Sequence, residues 1–537
     1  MHFDLWQYNS ENFLRCLVDD SKFTTLETVQ GKRHRNYLEQ YFDEINAQTI
    51  VVEHAYVDRD YLQDYAAYYD RCFSDYSRRT KRLHFFDKKF GHEDLQKLVV
   101  NNPDNLLDAD LKAAYLGFIV VRPLPMTIIG RTCLKTYGSD SGRRVFPSLR
   151  GYPVNLFGIE LEVISLAYQE QDTVVAACAT SALWTCFHGT GKLFQHSIPA
   201  PVEITDWANE VMPENLLSTG ARAFPNSGLS AKQMAHAIKQ VDLDPFAVRA
   251  SSSYSLNSVA YAYLRGKIPS LLACHITSYD SGQEKYIGAH AVAITGFSLR
   301  GEDSVVAASA ILGGEDGLLE EGDAQAGNGF RLRAAKIDKL YVHDDQIGPF
   351  ARMEWSRMPT PYQMQLEQTS IGLKTSWSPL TFAVPDFILL PLYHKIRIPF
   401  ALIHNAMKAL DFALETIRSR SELTNLLERA EWDIYLTSVN DYKTSVRNEY
   451  VIIGMDPEEC LYADLPRFMW RVILRSAGEV HAELLYDATG IAQQNLLVHS
   501  YSTGREYAQL LSLMGRHADT VKYLPLQARA AVEAFSA

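Results

Sequence analysis

Small residues crowd the stretch Ala176-Ala-Cys-Ala-Thr-Ser-Ala182, and the larger Leu183, Trp184 and Phe187 follow at helical spacing. The pattern predicts a buried helix over 178–188 whose first turn lets other backbone approach closely. Further on, Gly288-Ala-His-Ala-Val-Ala-Ile-Thr-Gly296 alternates and is β-rich, so it predicts a buried strand with His290 at its start. A chain holding both must mix helix with sheet and set one against the other. The chemistry of the two segments is complementary. A cysteine in the first turn of a helix gains thiolate character from the positive helix end and its free N–H groups. An imidazole on a facing strand is the base that such a nucleophile needs. A third apolar strand, Leu340-Tyr-Val-His-Asp-Asp-Gln-Ile-Gly-Pro349, ends in two carboxylates. Asp344, with Asp345 as the substitute, would hold the imidazole in one tautomer and stabilise its protonated form.

Four segments together resemble the papain-fold cysteine peptidases, and most of all the bacteriocin-leader-processing peptidases and their stand-alone relatives. They are Cys178-Ala-Thr-Ser-Ala-Leu-Trp184, Gly228-Leu-Ser-Ala-Lys-Gln-Met-Ala-His-Ala-Ile238, Arg265-Gly-Lys-Ile-Pro-Ser-Leu-Leu272, and the histidine strand with His343-Asp344. In the second, Ser230 and Gln233 also have the spacing of a capping box. The resemblance spans about 160–350 and implies an α+β fold, with a Cys-bearing helix on an antiparallel sheet that carries His290 and Asp344. It also implies a glutamine ahead of the cysteine as oxyanion donor. Gln171 stands seven residues before Cys178, where the family has six, and Gln169 stands nine before. Ala179 replaces the family's glycine, and no proline follows Asp344. Neither departure removes a reacting group.

Other clusters carry less chemistry. Cys186 and His188 lie two apart on a helix and point to different faces. Cys274 and His275 are neighbours in a strand and face opposite sides. No Cys-x-x-Cys, His-Glu-x-x-His or phosphate-loop pattern occurs, so neither a metal nor another cofactor is expected.

At 537 residues the chain exceeds a single core. The expected parts are a flanking α/β recognition domain over 1–155, the peptidase domain over 156–352, a linker over 353–386 and an α+β domain over 387–537. A glycine-rich insertion within the peptidase part, near 300–330, holds seven acidic residues and suits either a lid or a disordered surface excursion. Such a lid would favour basic residues near the cleavage site of a protein or peptide substrate. Residues 1–150 balance 21 basic against 21 acidic residues, so the net charge of −12 falls on the rest. That balance argues against nucleic acid as a partner. Basic clusters at Arg78–Arg82 and around Arg131, Lys135, Arg143, Arg144 and Arg150 read as solvated faces. Seven cysteines in no regular spacing fit reduced thiols in a cytoplasmic protein, and no membrane span or signal segment is read. A thiol hydrolase is the expected activity. Acyl transfer of the transglutaminase or amidase type would use the same residues, and a non-catalytic recognition protein would keep only the scaffold.

Overall fold

The structure, a computed structural model, describes residues 3–18, 23–100, 105–172, 175–212, 228–250, 252–280, 283–300, 329–359, 371–378, 380–419, 427–453, 457–516 and 521–536. Helix accounts for 36% of it and strand for 35%, the mixture expected of an α+β protein. The chain forms two compact units. One comprises Met1–Ala247, Lys267–Ser298 and Lys339–Pro391, the other Val248–Gly266, Leu299–Asp338 and Leu392–Ala537.

The first unit begins with a five-stranded antiparallel sheet in the order β1 (Phe3–Gln7), β2 (Thr49–Tyr56), β3 (Thr80–Phe86), β4 (Tyr115–Val121), β5 (Ile129–Leu134). The helices α1 (Ser10–Leu17), α2 (Leu26–Gln30) and α3 (Arg33–Glu44) supply Phe13, Val29, Leu38 and Phe42 to a core with Ile50, Phe85 and Ile119. Phe42 stacks on Phe85 with ring centroids 4.0 Å apart. Tyr341 and Phe350 belong to the same core. The reading of Arg78–Arg82 as a solvated face fails for its second half. Thr80–Phe86 is a central strand buried throughout, where Arg82 pairs with Glu53 at 2.8 Å and Lys81 donates to the Val18 carbonyl. Arg131 is likewise taken up by Asp58 at 2.7 Å. Between β4 and β5, Pro123 and Pro125 break the ladder, and pairing resumes only at Ile129.

The helix α4 (Arg59–Ala67) connects β2 to β3, α5 (His92–Val100) and α6 (Asn105–Ala113) connect β3 to β4, and β6 (Arg144–Val145) and the hairpin of β7 (Arg150–Leu156) with β8 (Ile159–Ser165) follow β5. They lead to α7 (Cys178–Phe194) and α8 (Pro201–Asn209). Ser230 and Gln233 do form the reciprocal cap of the helix Ala231–Lys239, with bonds of 3.4 and 2.9 Å. After β9 (Leu243–Arg249), the second sheet runs β10 (Ser270–Asp280), β11 (Gln283–Leu299), β12 (Ile337–Asp344), β13 (Gly348–Arg357), β14 (Ile371–Lys374), β15 (Thr381–Tyr393). Each pairs with the next, and β15 pairs back onto β10, so the six strands close on themselves. Of the stretch 353–386 expected as a linker, 353–357, 371–374 and 381–386 are instead strand and enter a closed sheet that leaves few edges unpaired, while 360–370 and 379 lie outside the described residues. The helix α7 lies against this sheet. A Cβ on its Gly189 would come within 2.6 Å of the Pro269 ring, so only glycine permits the approach.

The second unit carries a four-stranded antiparallel sheet, β16 (Glu431–Ser438), β17 (Phe468–Ser476), β18 (Glu479–Asp487), β19 (Leu497–Ser502). Ala477 and Gly478, both at positive φ, make the β17–β18 turn. The helix Ser253–Arg265 buries eleven of its residues and packs on β16, where Gly266 lets Leu436 approach closely. A further helix of this unit runs from Phe400 to Ser419. Most of the glycine-rich insertion, 301–328, lies outside the described residues.

Candidate active site

Cys178 is the first residue of α7, preceded by an extended Ala177. The Ala177 N–H donates to Thr180 Oγ1 at 3.2 Å, and Thr180 leans on Thr205, whose hydroxyl donates to the Val175 carbonyl at 2.7 Å. These bonds fix the helix start from the polar side chains of its own first turn and of α8. Ala176, Ala177 and Ala179 are buried, whereas Cys178 is partly exposed. The first N–H groups of a helix have no intrahelical partner, so they face whatever the thiol faces.

His290 is the first fully enclosed position of β11, after a solvent-facing first half of the strand. Its Nε2–H donates to Asp344 Oδ1 at 3.0 Å, and Cys178 is near enough to the ring to help raise its pKa. With Nε2 committed to the carboxylate, Nδ1 is the nitrogen left for sulfur. Asp344, the last residue of β12, accepts two further bonds: the Gln346 N–H reaches Oδ1 at 3.0 Å and the Trp377 indole N–H reaches Oδ2 at 2.7 Å. Burial works to raise its pKa, but the charge of His290 and these three donors hold it below the ordinary carboxylate value. Burial likewise works against a charged His290. The charge and hydrogen bond of Asp344, then the neighbouring Cys178 and the charge of Asp345, carry it well above the ordinary imidazole value.

The structure separates the two neighbouring carboxylates. Asp345 Oδ1 stands 3.8 Å from His290 Nε2 without a hydrogen bond, while Oδ2 accepts from the Gln346 amide at 2.8 Å. Burial lifts Asp345 to about 6 against the pull of His290, and the charge of Asp344 adds to the rise. Asp344 is thus the orienting group and Asp345 a second, more weakly ionised one. One atom from each of His290, Asp344 and Asp345 lies within 4.8 Å of the others, close enough to share a cation, yet Nε2 and Asp344 already satisfy each other.

Of the two candidate oxyanion donors, Gln169 is buried and Gln171 half-buried, both in the loop between β8 and α7. Cys186 and His188 are buried on α7, where the His188 ring hydrogen-bonds Tyr152. Cys274 is buried opposite His290, directing its thiol to the His290 carbonyl at 3.6 Å, while His275 points outward. The His343 Nδ1–H donates to the Ala167 carbonyl at 3.2 Å, tying β12 to the loop before α7.

Two supports were not legible in the sequence. Trp377 lies in the turn before β15; besides its bond to Asp344, its ring meets the His290 ring edge-on at 5.2 Å. From the other side α3 carries the turn after Asp344: the His34 Nε2–H donates to the Asp345 carbonyl at 2.8 Å, and Tyr37 lies over Gly348, where any Cβ would come within 2.5 Å of its ring. A tryptophan 33 residues after the aspartate and a histidine 311 residues before its neighbour leave no local pattern to read.

The arrangement can place a thiolate beside an imidazolium whose far nitrogen is locked by a buried carboxylate. No protein-family model matches the chain, and no curated protein is similar to it.

Proposed function

We propose that the protein is a cysteine peptidase with a papain-like core, hydrolysing a peptide or isopeptide bond in a protein partner. The observation that carries this reading is the buried His290–Asp344 pair at 3.0 Å, with Cys178 at the start of α7 near enough to the imidazole to help raise its pKa. The helix that starts at Cys178, set against a sheet bearing the other two groups, supports the same core. In the first step the Cys178 thiolate attacks the carbonyl, and the oxyanion meets the N–H groups of the α7 first turn and the amide of Gln171 or Gln169. His290 gives its Nδ1 proton to the leaving amine, leaving a thioester on Cys178. Water, losing a proton to His290, then releases the acid and frees the thiol. The seven free cysteines fit a reducing, cytoplasmic setting. Among the described residues no helix is long and apolar enough to cross a membrane.

The test is the pH dependence of Cys178 alkylation by iodoacetamide, read by peptide mass spectrometry. Burial holds Cys16, Cys133 and Cys274 at about 12, so they serve as unreactive controls. Fast modification of Cys178 at pH 6, lost in His290→Ala, is the expected result. A Cys178 as slow as the controls would sink the catalytic reading in favour of a scaffold.

A further inference from the structure

A cavity of about 470 Å³ adjoins the triad, with Trp377 in its wall. Arg33, Asn36, Tyr37, Gln40, Tyr41 and Glu44 line its length. Their spacing of three and four marks one face of α3, so the cavity is a groove that follows the helix for about 16 Å. The opposite wall is built from Tyr137, Arg352 and the turn from Lys374 to Ser378. An extended peptide advances about 3.3 Å per residue, so the groove holds about five residues.

Its charge is one-sided. Glu44, the one carboxylate of the lining, is spanned by Arg144 at 3.4 Å and by Arg352. Arg33 and Lys374 are exposed, and neither forms an ion pair with a carboxylate among the described residues. The Arg33 guanidinium lies 4.7 Å over the Trp377 ring, whose other contacts are Asp344 and His290. An unpaired cation is therefore one aromatic ring away from the catalytic imidazole. The Tyr37 hydroxyl is spent on Tyr137 and the Pro349 carbonyl, so its half-buried ring offers flat apolar contact between the charges.

Resting on the peptidase reading, we propose that this groove binds an acidic segment of the substrate, its carboxylates meeting Arg33 and Lys374. Because His290 protonates the leaving amine, a groove reached across Trp377 from His290 takes the leaving-group side of the scissile bond. The earlier expectation of basic residues there rested on the acidic insertion, most of which lies outside the described residues. A run of phosphodiesters is the poorer occupant, since Glu44 and its two arginines close the far end with a carboxylate already in place.

The experiment is fluorescence anisotropy of a labelled hexaglutamate peptide with the full chain. Saturable binding is expected, weakened by added salt, lost at least tenfold in the Arg33→Ala, Lys374→Ala double variant and retained in Arg33→Lys and in Cys178→Ser. Hexalysine should not bind. Absence of hexaglutamate binding, or binding untouched by the double variant, overturns the proposal. So does a hexathymidylate that binds more tightly and is lost in the same variant, which would assign the groove to nucleic acid. Since binding is read without turnover, a Cys178 that proves inert removes the peptidase reading while hexaglutamate binding through the two cations still supports an acid-recognising groove.

Discussion

Asp344 draws its strength from donors supplied by three different parts of the chain, and each can be removed singly. Trp377→Phe keeps the ring but deletes one bond to a charged acceptor, an interaction of about 1.5–3 kcal/mol. Cys178 alkylation at pH 6 should slow roughly tenfold in that variant on the same scale, measured against wild type. Asp344→Asn loses the charge and the tautomer control and should cost turnover on the order of 10²–10⁴-fold, whereas Asp345→Asn should leave it nearly intact. Asp345 instead shows itself in stability. Its folded pKa, about 6, is raised above the unfolded carboxylate value, so the protonated form favours folding at low pH and that gain is lost as pH rises through about 6. Urea midpoints of Asp345→Asn should therefore exceed those of wild type at pH 7.5 and approach them at pH 4.5.

At the level of elements, Cys178, His290 and Asp344 were legible because each sits in a segment with its own period: a small-residue helix start, an alternating strand, an apolar strand ending in carboxylates. The sequence reading preferred Asp344 with Asp345 as substitute, and the geometry separates the two: Asp344 bonds His290 at 3.0 Å while Asp345 stands 3.8 Å away. The role of α3 was not legible at all. Its polar face reads as solvent-exposed, yet Tyr37 and His34 grip the β12–β13 turn, a contact set by topology rather than by any local pattern. Gly348→Ala tests that grip. A methyl group 2.5 Å from the Tyr37 ring should cost about 1–3 kcal/mol as an overpacked contact, visible as a lower urea midpoint, and should slow Cys178 alkylation if the turn shifts with α3.

At the scale of the whole molecule, both compact units are assembled from separated stretches of chain. The second unit takes the helix Ser253–Arg265 from between β9 and β10 and packs it on β16. A fragment of residues 392–537 would lack that helix and expose the face of β16 that it covers, so it should fail to give a cooperative urea transition; a sharp transition would show that the helix is dispensable. The same interleaving touches the catalytic turn. Arg33 and His34 are consecutive, one lining the groove beside Trp377 and the other holding the Asp345 carbonyl. An exchange of the first 155 residues for those of another protein would not merely alter what is bound: it would take away the clamp on the Asp345 carbonyl, so under the proposed peptidase reading specificity could not be traded as a cassette without rebuilding the site.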